Sequence, residues 1–204
     1  MRTGFLPVDH GHVLYWEKHG VADGIPAVIL HGGPGGGLQH SHLKFFNLKK
    51  YCVYLFDQRG CGKSTPFGSL DHNTTWDLVE DIERLRREFL VDAWYVYGGS
   101  WGTTLGLAYA ETYPSSVLAL LLRSVCLTSE DKLDWMYEPG GASEFFPEEF
   151  AAFRRPIEGV RGKTIKAYRK LLLTPRTRKA AAKAWDTWEG AISYLVPRDE
   201  PRKD

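Results

Sequence analysis

Apolar and polar positions alternate or recur in short stretches that predict strands and helices in regular succession. Phe5 to Val8 and His12 to Lys18 are β-rich runs parted by Asp9-His10-Gly11, which predicts a hairpin. Ala27 to Leu30 and Cys52 to Phe56 are short apolar runs, each ending abruptly in a glycine-containing loop. Between Thr74 or Thr75 and Phe89, the residues Trp76, Val79, Ile82, Leu85 and Phe89 recur at three- and four-residue spacing, the signature of an amphipathic helix. Asp77, Glu80 and Asp81 in its first turns suit the positive end of the helix dipole. Trp94 to Tyr97 predicts a strand, Trp101 to Thr112 a helix closed by Pro114, and Val117 to Arg123 a strand.

Strands alternating with helices at this spacing form parallel βαβ units, hence an α/β, doubly wound and mostly parallel sheet. The pattern changes after Arg123. Residues 127 to 195 hold no convincing strand, and Arg178 to Leu195 reads as a helix with Trp185, Trp188 and Ile192 on one side. The expected organisation is therefore an α/β core over residues 1 to 126, a helical cap region over 127 to 196, and a polar tail over 197 to 204.

Composition narrows the class. At 204 residues, folding buries roughly 70% of the chain's surface, enough for a core without staples. The longest apolar run, Val117 to Leu122, is far too short to span a membrane, and the N-terminal residues show no signal-peptide h-region. Three scattered cysteines, Cys52, Cys61 and Cys126, form no metal-type pair and no disulfide framework. A reduced, cytoplasmic protein is expected, with no cofactor and no metal. The net charge is +1, but residues 151 to 204 carry 14 basic and 6 acidic side chains. Those basic residues are dispersed, which fits a solvated helical face rather than a nucleic-acid or membrane contact.

Gly98-Gly99-Ser100-Trp101-Gly102 fits G-x-S-x-G, with an apolar strand running in and a helix running out. Such a turn strains the nucleophile's backbone and needs small neighbours, while the helix N-terminus offers N–H groups to a developing oxyanion. His31-Gly32-Gly33-Pro34-Gly35 also follows a strand directly, so one of its N–H groups can complete an oxyanion hole with that of Trp101. His31 precedes the serine and reads as an anchor for the loop rather than as the base. Gly60-Cys61-Gly62-Lys63-Ser64 imitates a phosphate-binding loop, but Asp57 occupies the position where that motif requires its first glycine.

Together these residues resemble the proline iminopeptidase family of α/β-hydrolases. The matching stretches are HGGPGGG (31–37), FDQRGCGKST (56–65), NTTWDLVEDIERLR (73–86), GGSWGTTLGLAYAETYP (98–114) and AAKAWDTWEG (181–190). The resemblance implies an α/β-hydrolase fold and a serine aminopeptidase acting on peptides with a free N-terminal proline. Ser100 would be its nucleophile, and the N–H groups of Gly33 and Trp101 its oxyanion hole. It further implies that Glu189 holds the substrate's ammonium and places Arg123 near the site, while Cys126 and Met136 stand where aromatic residues of the proline pocket are expected. In this family the triad acid and histidine follow the cap. All seven histidines (10, 12, 19, 31, 40, 42 and 72) precede Ser100, so the chain is expected to stop before those two residues and to be weak or inactive alone. The alternatives are a non-catalytic fragment serving as a binding protein, or another α/β-hydrolase such as an esterase or amidase. The strand Val117 to Arg123 is expected to leave an apolar sheet edge open to self-association.

Overall fold

The computed structural model describes residues 1–194; the polar tail and Leu195, the last residue of the expected final helix, lie outside them. The chain divides into two compact units, one spanning Met1–Leu127 and a second beginning at Thr128.

The first unit is built on a six-stranded sheet of order β1-β2-β4-β3-β5-β6. Its strands are β1 (Arg2–Pro7), β2 (Val13–Gly20), β3 (Ile25–Leu30), β4 (Tyr51–Phe56), β5 (Trp94–Gly99) and β6 (Val117–Arg123). β1 and β2 form the expected antiparallel hairpin. β2 also runs antiparallel to β4, whereas β4, β3, β5 and β6 are mutually parallel neighbours. The sheet is therefore mixed, with its parallel part in the β3–β6 half.

Period-two alternation sends successive side chains to opposite faces. Val28, Leu30, Cys52, Tyr54, Phe56, Trp94 and Val96 pack on one face against α1 (Thr75–Glu88) and α2 (Trp101–Thr112). Ile29, Val53, Leu55 and Tyr97 face the other way and are covered by Leu38, Leu43, Phe46 and Leu48 of the segment around the 3₁₀ helix His40–Phe45. A short connecting segment does there what a crossover helix does on the first face.

Thr74, not Thr75, caps α1, exchanging hydrogen bonds with Asp77 in a capping box. The helix presents Leu78, Val79, Ile82 and Leu85 to the core, while Trp76 is 64% exposed and leaves the expected apolar stripe. Of the three acidic residues read as dipole partners, only Asp77 serves the helix end. Glu80 accepts from the Tyr113 hydroxyl at 2.5 Å. Asp81 is fully buried and pairs with both Nε (2.6 Å) and Nη2 (2.7 Å) of buried Arg59. β1 and β6 are the two edge strands among the described residues, and on β6 Leu118 and Leu121 are about half exposed.

The second unit is helical among the described residues: α3 (Glu130–Tyr137), α4 (Ala142–Phe145), α5 (Pro147–Arg154), α6 (Thr164–Leu173) and α7 (Pro175–Ile192). α7 begins three residues earlier than its apolar pattern indicates, because Pro175 sits at its first turn, where a missing N–H costs nothing. The core is aromatic: Phe153 stacks on Tyr168 and on Trp188, and Tyr168 meets Trp185 edge-on. Met136 packs against this core, and its carbonyl accepts from Trp188 Nε1 at 3.1 Å.

Candidate active site

Parallel strands bring their carboxyl ends to one edge of a sheet, where ligand sites of open α/β folds collect. β3 and β5 are direct neighbours with Leu30 opposite Gly98, so the loop leaving β3 lies beside the turn leaving β5. Ser100 occupies that turn with φ 53° and ψ −122°, a left-handed backbone unusual for a residue with a side chain. The strain is held from three sides. The Ser100 N–H donates to the Arg123 carbonyl at 3.1 Å, and the Thr103 N–H donates to the Ser100 carbonyl at 2.8 Å. The Thr103 hydroxyl also reaches that carbonyl, at 2.7 Å, and accepts from the Cys126 N–H at 2.9 Å.

The motif's glycines are demanded by close approach. A Cβ on Gly98 would lie 2.2 Å from the Gly102 carbonyl oxygen, and one on Gly102 would lie 2.2 Å from that of Leu30. Both distances are far inside van der Waals contact, so strand, turn and helix close up only when both positions are glycine. A Cβ on Gly32 would lie 3.2 Å from Ser100 Cβ and 3.8 Å from its Oγ, which puts the glycine loop against the serine. Gly33, at φ 123°, follows in a conformation side chains rarely adopt.

His31 is the peg of that loop. It is buried, its Nδ1 hydrogen-bonds the Gly32 carbonyl at 2.9 Å, and its Nε2 accepts from the Gln58 N–H at 3.0 Å. Those partners fix a neutral tautomer with the proton on Nδ1, and burial pushes its pKa down. Gln58 closes the ring, donating to the His31 carbonyl at 3.0 Å and accepting from Trp101 Nε1 at 3.2 Å. Both His31 nitrogens are committed, as the anchoring role requires.

Trp101 opens α2, so its N–H has no carbonyl four residues back within the helix. Neither it nor the Gly33 N–H donates in any described hydrogen bond. The Ser100 hydroxyl likewise has no hydrogen-bond partner among the described residues. Arg123 supports the turn through its carbonyl, and its guanidinium lies 5.8 Å from the centre of the Phe45 ring.

The lysine-containing loop after β4 is no phosphate cradle. The Asp57 carboxylate accepts from the N–H groups of Leu38 (2.7 Å) and Lys63 (2.8 Å). It so fills the space that a Cβ on Gly62 would lie 2.3 Å from it. An anion built into the fold already holds the loop.

In the second unit, Glu189 on α7 is half-buried rather than a solvated helix residue. Its Oε1 accepts from the Tyr137 hydroxyl and, at 3.0 Å, from Trp185 Nε1. Glu189 and Trp185 line a depression of about 260 Å³ together with Leu172, Ala182 and Asp186.

A profile of the alpha/beta hydrolase fold matches residues 26–196. The chain belongs to the α/β-hydrolase fold family. Among curated relatives, it is 48% identical over 202 residues to a proline iminopeptidase of Arabidopsis thaliana, covering 97% of this chain and 53% of the relative. It is 44% identical over 204 residues to the proline iminopeptidase of Neisseria meningitidis serogroup B, covering 98% of this chain and 64% of that one. This α/β-hydrolase chain thus spans about half to two thirds of the length of the curated relatives it matches. Solved structures agree on the fold. VinJ superposes with a TM-score of 0.63 at 18% identity, over 98% of this chain and 72% of that one. A proline iminopeptidase of Mycobacterium smegmatis superposes with a TM-score of 0.60 at 19% identity, over 92% and 68%.

Proposed function

We propose that this chain carries the nucleophile and oxyanion-stabilising parts of a serine aminopeptidase that releases N-terminal proline from peptides. The observation that carries the reading is Ser100, held at positive φ with the glycine loop packed on it, in a chain 44–48% identical to proline iminopeptidases. In the proposed reaction Ser100 Oγ attacks the prolyl carbonyl, and the N–H groups of Gly33 and Trp101 take up the oxyanion. The scissile C–N bond then breaks, the proton given up by Ser100 leaves on the amine product, and water hydrolyses the prolyl ester, releasing proline and restoring the Ser100 hydroxyl. Glu189 is proposed to receive the substrate's ammonium. Its half-buried carboxylate, held on one oxygen by Tyr137 and Trp185, supports that role. Arg123 is proposed as a second substrate contact. Residues 1–126 are proposed as the core portion and 127–196 as the cap region.

No helix among the described residues is long and apolar enough to cross a membrane. A cytoplasmic location is part of the proposal, supported by three scattered cysteines whose spacing suits no disulfide framework. The deciding experiment is release of p-nitroaniline from proline p-nitroanilide by the 204-residue chain, beside Ser100→Ala and the matching leucine substrate. Slow, Ser100-dependent, proline-preferring release is expected. Release that persists in Ser100→Ala, or that favours leucine, overturns the reading.

A further inference from the structure

Glu17, His19 and His40 form a cluster that the proposed reaction does not use. Glu17 and His19 are two apart on β2 and share one face of the sheet, while His40 opens the 3₁₀ helix after the glycine loop. Glu17 Oε2 lies 2.8 Å from His19 Nε2 and 2.6 Å from His40 Nε2. The two rings meet at 65° with centroids 5.6 Å apart, so both turn a nitrogen toward one oxygen rather than stacking. The carboxylate and His19 are buried or nearly so, whereas the His40 side chain is 60% exposed.

We propose that Glu17, His19 and His40 form a binding site for a divalent transition-metal ion, zinc first among them. Two imidazoles and one carboxylate are a donor set that zinc takes, with water in a fourth position. The three donor atoms lie within 4.8 Å of one another. Bonds of about 2.0–2.1 Å in a tetrahedral arrangement set donor atoms roughly 3.3 Å apart, so the imidazoles must withdraw from Glu17 by a little over half an ångström. His40, exposed on a surface turn, has room to do so and opens the entry path. Each imidazole would move its proton from Nε2 to Nδ1, or lose it if charged, as the ion takes Nε2.

The surroundings already have the form of an outer shell. The Tyr15 hydroxyl donates to Glu17 Oε1 at 2.9 Å, orienting the carboxylate and leaving Oε2 for the ion. Lys63 Nζ reaches Tyr15 Oη at 3.3 Å, one cation at the rim that weakens the site without occupying it. Glu17 stands 23 residues before His40, and an occupied site would pin the segment after the glycine loop onto β2.

The test uses the full chain, stripped with a chelator and titrated with zinc by calorimetry at pH 7.5, with cobalt absorbance as the second readout. One ion per chain is expected, with a four-coordinate cobalt band. His40→Ala should weaken binding at least about tenfold and remove the band, since losing a direct ligand should cost no less than losing an outer-shell partner. The exposed position of His40 makes that variant safe for folding, which circular dichroism checks. His10→Ala, at a surface histidine stacked on His72, should bind as the parent does. No saturable binding by the parent, or equal binding by His40→Ala, overturns the proposal.

Discussion

Two glycines on the same helix should respond in opposite directions to the same added methyl. In α2, a Cβ on Gly102 would lie 2.2 Å from the Leu30 carbonyl oxygen, 3.0 Å from its carbon and 3.2 Å from the His31 oxygen. All three are backbone atoms of β3 and the glycine loop, so no side chain can swing away. Relief requires α2 to lift from the strand by about 1 Å, which would carry the Trp101 N–H and the Ser100 turn with it. Overpacking of this kind costs about 1–3 kcal/mol, and the gain of up to about 1 kcal/mol from alanine's helix propensity offsets only part of it. A Cβ on Gly106 would instead meet Leu30 Cδ1 and Val96 Cγ1 at 3.6 Å and Leu122 Cδ2 at 3.7 Å, all ordinary contacts. There the propensity gain stands nearly alone, at about 0.5–1 kcal/mol. For a chain of this size, 1 kcal/mol moves the melting temperature by about 2–4 °C. Thermal melts followed by circular dichroism should therefore put Gly102→Ala below the parent by several degrees and Gly106→Ala slightly above it. Gly102→Ala melting with the parent, or both variants falling equally, would refute the close-approach argument.

The buried Arg59–Asp81 pair gives a larger effect: Asp81→Ala strands a guanidinium in the core and should cost about 3–5 kcal/mol in urea unfolding, whereas a loss below 1 kcal/mol would show the pair to be solvated. Glu83 is opposed by burial, yet hydrogen bonds from Arg86, Arg87 and Tyr109 lower its carboxyl pKa to about 2, as those around Glu17 do there. Because both folded-state values lie below the unfolded ones, their stabilisation is fully present above about pH 4.5 and is lost as pH falls toward 2; a flat stability profile across that window would contradict it. The exposed Leu118 and Leu121 of the edge strand should drive concentration-dependent association of the 204-residue chain, reduced by Leu118→Lys; a parent that stays monomeric in light scattering at high concentration would count against an adhesive edge. Glu189→Gln should raise KM for a prolyl amide more than it lowers kcat, and an unchanged KM would remove Glu189 from ammonium binding.

What could be read from the sequence was local. The hairpin, the strands of the parallel half, α2 and the G-x-S-x-G turn are each encoded by a contiguous run with its own punctuation, so period and glycine placement reveal them. The polar network was hidden because its partners are distant in the chain. Asp81 looks like an ornament of the helix start until β4 delivers Arg59 beside it, 22 residues away in sequence. His40 looks like one loop histidine among several until the covering segment folds onto β2. Trp76 misled in the opposite sense, since its spacing matched the apolar stripe while its place in the first turn of α1 carries it into solvent.

The histidines also bear on how much chemistry these 204 residues can perform. His31 commits one nitrogen to the Gly32 carbonyl and the other to the Gln58 N–H, His19 and His40 meet Glu17, and His12 binds the Asp71 carbonyl. His10 stacks on His72, while His42 packs beside Phe45 and Tyr97 with burial and the nearby Arg123 holding its pKa down. None of the seven makes a described hydrogen bond to Ser100. The Ser100 turn is strained and exposed, and among the described residues no hydrogen bond joins its hydroxyl to a group that could take its proton. Removing triad members elsewhere leaves oxyanion stabilisation and binding to supply about 10³–10⁴ over water, with roughly 10³–10⁶ of the rate gone. Ser100-dependent release by this chain should therefore be slow and should climb with pH through the neutral range, because hydroxide substitutes for a base that none of the described residues supplies. A profile that instead levels off near pH 7, and loses that limb in a single histidine variant, would show that one of the seven reaches Ser100 after all.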